Sequence, residues 1–338
     1  MGNCLDKPRE NGIDSDPRSF NIPLMETSLI ESKQSNFLDS EKSNINNGNH
    51  SHNMQCQQHE KNAFIFSMNA NNDRFAKLHA LFKYTWQANF LAPVDERLKL
   101  GNARVLDLGC RTGEWVLDVS VQYPLAKVCG IDKLNFFPSP IPLNSVFLPL
   151  DILDGLPFDD NTFDLVHTCC SAFTYTEIEW KQKIIKELIR VLKPGTGWLS
   201  LLEISLFYTN EGPNTAELTK HMRLYLKEKK INPDITKLQE NLLRASNQFT
   251  DIQVYEKSHI LESNSSRAGD IAAKEFALTM YALGKELSSF MGLDNEGYES
   301  LVELSVKEFN VYKTSARQIR IIARRKSLKT LMKSGETN

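Results

Sequence analysis

The sequence has no apolar run long enough to cross a bilayer, so no helical membrane span is expected. An excess of one charge is also missing. Against 40 Lys and Arg stand 42 Asp and Glu, a formal net charge of -2 that gives no global basicity for nucleic acid. The six cysteines, Cys4, Cys56, Cys110, Cys129, Cys169 and Cys170, include no C-x-x-C pair, and the N-terminus lacks the apolar core of a secretory signal. A reduced, cytoplasmic setting is therefore expected. With 338 residues, 41% of them hydrophobic and 24% charged, the chain can bury one generous core or two modest ones.

What is present is concentrated in residues 104–115, Arg-Val-Leu-Asp-Leu-Gly-Cys-Arg-Thr-Gly-Glu-Trp. Val105, Leu106 and Leu108 make the short apolar run of a buried parallel strand, and Gly109 and Gly113 break it before a helical periodicity begins. Strand, tight turn and helix are expected. Such a turn leaves backbone N–H groups at the helix start and brings the main chain close to a small polar or anionic ligand. A dinucleotide fingerprint would need a third glycine where Glu114 stands, which argues against a NAD-dependent oxidoreductase.

Two acids follow at the ends of the next apolar runs, Asp132 after residues 127–131 and Asp151 after 146–150. A carboxylate at the end of a second strand offers two oxygens to two ribose hydroxyls. Then come Pro157-Phe158, Phe163-Asp164-Leu165-Val166 and the Lys193-Pro194-Gly195 turn. In this order, with Asp107, Gly109 and Gly113, these residues resemble the class I methyltransferases that use S-adenosylmethionine (SAM). The resemblance covers roughly residues 73–326 and is most specific over 104–203; residues 73–94 are similar to the segment ahead of the SAM domain in a group of fungal methyltransferases.

The resemblance implies an α/β fold: a Rossmann-like, seven-stranded, mostly parallel sheet with helices on both faces, its last strand antiparallel, and extra lid helices. It implies SAM as cofactor, held by Asp107, Gly109, Cys110, Gly113, Asp132, Asp151 and Ile152, with Asp151 accepting the adenine amino group and the next backbone N–H meeting a ring nitrogen. It also implies that the helix over 73–90 covers the cofactor. Arg111 departs from the family pattern, which has glycine there. Its guanidinium adds bulk beside a sulfonium, and is expected either to swing outward or to pair with Asp107 or Asp132 and weaken cofactor binding. His167, at the end of the fourth strand, is the first choice for a general base where an acceptor must lose a proton, with Glu203 second; a histidine there also serves as a structural hydrogen-bonder. The reading is therefore a methyltransferase with an unidentified small acceptor, or a non-catalytic relative that uses the fold for interaction or regulation.

Residues 1–62 are rich in Asn, Ser, Gln and Glu and are expected to be disordered. Met-Gly-Asn-Cys resembles an N-myristoylated start, with Gly2 and Cys4 as acylation sites and peripheral membrane contact as the consequence, although Asp6 stands where Ser or Thr is wanted. His50, His52, Cys56 and His59 lie close together without a fold to fix them, and no metal site is expected. The methyltransferase domain is placed at 63–326, with lid helices near 214–247 and 268–313, and a basic tail at 327–338. Arg317, Arg320, Arg324, Arg325 and Lys326 with Lys329 and Lys333 either attract anionic lipid or form a solvated end after an edge strand.

Overall fold

Apolar runs of five to seven residues become the parallel strands of the computed structural model, which describes residues 72–171, 173–262 and 266–333. Gly2, Cys4 and the His50 to His59 group lie outside the described residues. The strands are β1 (Arg104–Leu108), β2 (Lys127–Asp132), β3 (Ser145–Pro149), β4 (Leu165–Cys169) and β5 (Trp198–Ile204), followed by β6 (Phe249–Ile260) and β7 (Ser315–Arg325). They form one seven-stranded sheet in the order β3-β2-β1-β4-β5-β7-β6. The pairs from β3 to β5 are parallel, and β7 runs antiparallel to both neighbours. The expected antiparallel last strand is thus present, inserted between β5 and β6.

Helix α1 (Asn72–Trp86) precedes the sheet, and α2 (Asp95–Lys99) leads into β1. Between strands lie α3 (Glu114–Gln122) and α4, continuous over 177–191, whose turn Trp180–Ile184 is wound as a π-helix. Thr176 and Glu179 cap α4 reciprocally, side chain to backbone in both directions. After β5 come α5 (Pro213–Glu228) and α6 (Ile235–Ala245), and after β6 come α7 (Arg267–Ala282), α8 (Gly284–Met291) and α9 (Asn295–Tyr312), with α10 (Leu328–Lys333) last. Helices therefore occupy both expected lid segments. The periodicity over 271–290 reads as one helix, but the chain breaks it into α7 and α8 at Leu283 and Gly284.

Because helices cover both faces, the central strands are buried on both sides and read as continuous apolar runs. One core contains Leu106, Val166, Leu199 and Ile321 with Trp180 and Leu188 of α4; the other contains Val105, Val128, Leu165 and Ile322 with Val116 and Val119 of α3. Strand β6 is the open edge. Most of its residues are exposed, and its register against β7 shifts between Thr250 and Gln253.

The basic stretch of the sequence is not a tail. Arg320 and Arg325 are buried in β7, Arg324 pairs with Asp251 at 2.7 Å and Arg317 with Glu256 at 3.4 Å. Since β7 lies inside the sheet, these arginines are spent on the fold, and Leu328–Lys333 continues as a helix.

At the opposite end of the strands from the glycine turn, Asp164 is 2% exposed and accepts from Arg97 Nε at 3.0 Å, Lys193 Nζ at 2.7 Å and the Arg104 N–H at 2.9 Å. One carboxylate thus joins β1, β4 and the turn after α4. Removing it takes an acceptor from Lys193 and from the Arg104 N–H and one contact from Arg97, which keeps Gly101 O, so Asp164→Ala is expected to destabilise the fold by about 2 kcal/mol. Denaturant unfolding beside the native chain checks this, and a loss well under about 1 kcal/mol would contradict it.

Candidate functional site

The glycine turn is shaped by backbone sign and packing. Gly109 (φ +72°) and Gly113 (φ +84°) are both left-handed, where a side chain is strained. A Cβ on Gly113 would lie 2.6 Å from Phe147 Cε1, whereas one on Gly109 would meet nothing within 4 Å. Gly113 is therefore fixed by packing beneath the turn, while Gly109 faces open space. The N–H groups of Gly109 and Cys110 donate to Ile131 O at 2.8 and 3.0 Å, and Cys110 O accepts from the Gly113 N–H at 2.8 Å. Cys110 bonds to β2 through its N–H and within the turn through its C=O, burial pushes its thiol well up, and it lines not the main cleft but the smaller cavity behind it.

That cleft opens at the C-terminal ends of β1 to β4, the place where parallel sheets of this kind take ligands. It holds about 1210 Å³ of space including its mouth, ample for a ligand of nucleoside size. Gly109, Asp132, Asp151 and Ile152 line it, with apolar walls from Phe75, Leu134, Tyr175 and Trp180. Asp132 Oδ2 accepts from the Arg111 N–H and Oδ1 from the Leu134 N–H, each at 2.9 Å. Every carboxylate oxygen has two lone pairs, so each still has one to offer. Burial pushes the Asp132 carboxyl up, against the opposing pull of those two N–H groups and of Arg111. Asp151 Oδ1 caps the short turn Ile152–Asp154 through the Leu153 N–H at 2.9 Å, and Lys133 Nζ stands 3.5 Å from its other oxygen. Lys133 gives no motif signal in the sequence. It follows Asp132 directly, and strand geometry alone brings it to Asp151.

Arg111 takes neither side-chain course expected of it. Its Nη2 donates to Cys169 O at 3.1 Å and to Cys170 O at 2.9 Å, and the guanidinium lies 5.3 Å over the Phe75 ring. Its φ is +53°, the glycine-like conformation of the position it occupies. The side chain thus bridges from the β1 turn to the end of β4. Arg111, Phe75, Gly109 and Cys169 line both the main cleft and a second, smaller cavity behind it.

The smaller cavity gathers unsatisfied polar atoms. Asn89 Oδ1, Asp107 Oδ1, His167 Nε2, and Arg320 Nε and Nη1 are all buried without a hydrogen-bond partner, and their four residues all line it. Buried polar atoms are normally paired, so such a convergence marks a place for polar ligand groups or ordered water. An acid and a guanidinium lining one cavity suit a zwitterion. Burial raises the Asp107 carboxyl to about 8, with Arg111 opposing and Asp132 and Glu114 adding to the rise.

His167 sits here, not in the main cleft. It is the third residue of β4, 1% exposed, with its ring stacked on Trp115 at 4.2 Å and Nδ1 3.3 Å from Ser200 Oγ. Burial, reinforced by Arg320, holds its pKa well below the usual histidine value. It is a neutral, packed imidazole two residues short of the strand end, which corrects its reading as the base best placed for an acceptor. Arg320 and Asn89 were not singled out as site residues by sequence. Arg320 had one signal, a charge between Ile319 and Ile321.

Helix α1 roofs both spaces, giving Phe75 to the cleft and His79 and Lys83 to the smaller cavity. Its contribution to the cleft is apolar. Among the described residues no group of three or more His, Cys, Asp or Glu has the arrangement of a metal site.

Residues 105–195 match the model of a family described as "Methyltransferase domain". The chain is 37% identical over 119 residues to the secondary metabolism regulator LAE1 of Cochliobolus heterostrophus, covering 34% of this chain and 36% of that one. It is 27% identical over 169 residues to the methyltransferase str3 of Strobilurus tenacellus, covering 48% of this chain and 58% of that one. The matches thus span less than two thirds of either relative. Among solved structures, the cyclopropane synthase MmaA2 of Mycobacterium tuberculosis aligns over 78% of this chain and 98% of its own, with a TM-score of 0.42 and 15% identity.

Proposed function

We propose that this chain, whose residues 105–195 match a methyltransferase-domain family, is a class I enzyme that binds SAM in the cleft above β1 to β4 and methylates a small acceptor. The observation that carries the reading is the pair of strand-end acids, Asp132 and Asp151, lining one cleft beside the open side of Gly109. Asp132 would receive the two ribose hydroxyls on the lone pairs its backbone contacts leave over. Asp151 and Ile152 would read the adenine. The unpartnered Asp107 Oδ1 and Arg320 guanidinium atoms would suit the ammonium and carboxylate of an amino-acid end, which supports seating that end in the smaller cavity beyond Arg111.

When bound, SAM supplies a methyl group already activated by a sulfonium charge, which leaves the protein to align the acceptor and exclude water. The walls formed by Phe75, Tyr175 and Trp180 suit the second task. One observation favours a second reading, regulatory use of the fold with weakened cofactor binding. Arg111 stands between the two spaces that a whole cofactor would span. The similarity to LAE1, a regulator of secondary metabolism, agrees with that reading.

Calorimetric titration of SAM and of its demethylated product, S-adenosylhomocysteine, into the full chain tests the proposal. Saturable binding is expected, weakened about tenfold or more in Asp132→Ala, which removes the two carboxylate oxygens that would accept from the ribose and that accept from the Arg111 and Leu134 N–H groups. Heat that is absent, or equal in the native chain and Asp132→Ala, would sink the cofactor assignment.

A further inference from the structure

A third cavity lies on the far side of Cys170 from the main cleft, beneath α1 and α7 and against the ends of β5 and β6. It holds about 660 Å³ of space including its mouth. Its walls are mostly apolar, from Leu78, Leu81, Phe173, Leu206, Leu261 and Phe276. Cys170 lines both this cavity and the main cleft, and its carbonyl is one of the two that hold Arg111. The two spaces are therefore neighbours across a single residue.

An apolar cavity of this size ordinarily carries a few placed polar groups that orient its ligand. Glu203, at the end of β5, is one. It is 1% exposed; its Oε1 accepts from the Ser171 N–H at 3.1 Å, from the Ser171 hydroxyl and from Gln239 Nε2 at 2.9 Å. Three donors on one oxygen fix the carboxyl group's orientation. The other oxygen, Oε2, is buried and has no partner. His259 Nδ1, on the opposite wall from β6, is likewise buried and unpartnered. At the α7 side, Arg74 pairs with Glu275 at 2.9 Å and donates to Thr279 at 3.0 Å, so those groups already satisfy one another.

We propose that this cavity is the acceptor site, and that it takes an apolar molecule bearing one hydroxyl, which donates its proton in a hydrogen bond to Glu203 Oε2. The assignment rests on the methyltransferase reading above. An anionic acceptor is disfavoured by the lining, which among the described residues offers no cation beyond Arg74, itself paired with Glu275, while His259 Nδ1 leaves room for one further polar atom on the ligand or a water. A bare hydrocarbon would leave Oε2 unpaired at the cost that burial imposes. Burial also pushes the Glu203 carboxyl up, with Ser171 and Gln239 opposing, which makes its ionised form a stronger acceptor of a hydroxyl proton than an exposed glutamate. Glu203 is thus the group at which an acceptor's proton is held.

The test uses two probes with the full chain, 1-naphthol and 1-methoxynaphthalene, which share an apolar body and differ in the donor. Calorimetry is expected to show naphthol bound about tenfold more tightly than the ether, the usual worth of one hydrogen bond to a carboxylate. Glu203→Gln is expected to shrink that preference at least about threefold, and Ala272→Leu, which adds bulk to the α7 wall, to weaken both probes about tenfold while leaving S-adenosylhomocysteine binding unchanged. Thr279→Leu fills the same wall from a half-buried position and serves if Ala272→Leu does not fold. Equal affinity for the two probes, absence of binding by either, or binding indifferent to both wall substitutions would overturn the assignment. S-adenosylhomocysteine binding without naphthol binding rejects this site and spares the cofactor reading. Naphthol binding with the stated preference upholds the cavity even where S-adenosylhomocysteine gives no heat, a result that would instead remove the methyl-transfer reading.

Discussion

Replacing Arg111 by glycine is expected to tighten S-adenosylhomocysteine binding by about ten- to a hundredfold. In the native chain a ligand that spans the main cleft and the smaller cavity must displace a guanidinium held by Cys169 O, Cys170 O and the Phe75 ring. Each charge-assisted hydrogen bond is worth about 1.5–3 kcal/mol and the cation–π contact about 0.5–1 kcal/mol, of which water and the ligand return only part. A net cost of about 1.4–2.8 kcal/mol gives the stated range. The fold itself should tolerate the change. Arg111 has φ +53°, so glycine relieves a left-handed strain of about 1 kcal/mol while the lost hydrogen bonds act in the opposite direction. Titration of both proteins, with melting curves as the control for folding, decides the matter. Weaker binding by the glycine variant would mean that the guanidinium holds the ligand rather than excluding it.

The second large effect is on pH. The Asp107 carboxyl is raised to about 8 by burial, whereas in the unfolded chain it titrates near about 3.9. Between those values the folded chain keeps a proton that the unfolded chain has released, so stability falls as pH rises. The contribution is complete below about pH 4, declines across the window and levels above about pH 8. Asp132 and Glu203 are shifted in the same direction, so the native chain must be compared with Asp107→Asn, which removes the Asp107 share alone. Asp107→Asn is expected to be the more stable protein by a few kcal/mol at about pH 8.5 and to lose that advantage at about pH 4. Urea midpoints at the two pH values measure it. Binding should move the other way, because an ammonium group beside Asp107 favours the ionised acid. Affinity for S-adenosylhomocysteine is expected to climb between about pH 6 and 8 in the native chain and to stay flat in Asp107→Asn. Parallel pH profiles for the two proteins would show that Asp107 is not the group involved.

The sequence exposed what is local. The glycine turn, Asp132, Asp151 and the Phe163 to Val166 run were legible because each lies within a few residues of its own strand end, whereas the seven-stranded sheet and its antiparallel last strand came only from the family resemblance those residues carry. It hid what long-range pairing creates. Arg320 reaches the smaller cavity only because β7 inserts beside β5, opposite Leu202, and in the sequence it belongs to a basic stretch near the end. His167 looked like a strand-end residue because the end of β4 cannot be located to two residues from periodicity. The course of Arg111 was equally hidden, since its partners are backbone carbonyls, which carry no side-chain signature. Glu203 was visible as a strand-end acid, but its cavity required α1 and α7, separated by nearly two hundred residues, to meet through Arg74 and Glu275.

The placement of β7 also bears on how the chain is made. Both ladders at that side of the sheet, with β5 and with β6, run through Ser315–Arg325. A nascent chain that has released everything up to α9 has a five-stranded parallel sheet with one raw edge, and a β6 segment with nothing to pair to. Closure of this side of the sheet therefore waits for Ser315–Arg325. A chain stopped before Ser315 would lose Arg320 from the smaller cavity and expose two unpaired edges in the same event, which makes it a substrate for chaperones and proteases rather than a shorter version of this protein.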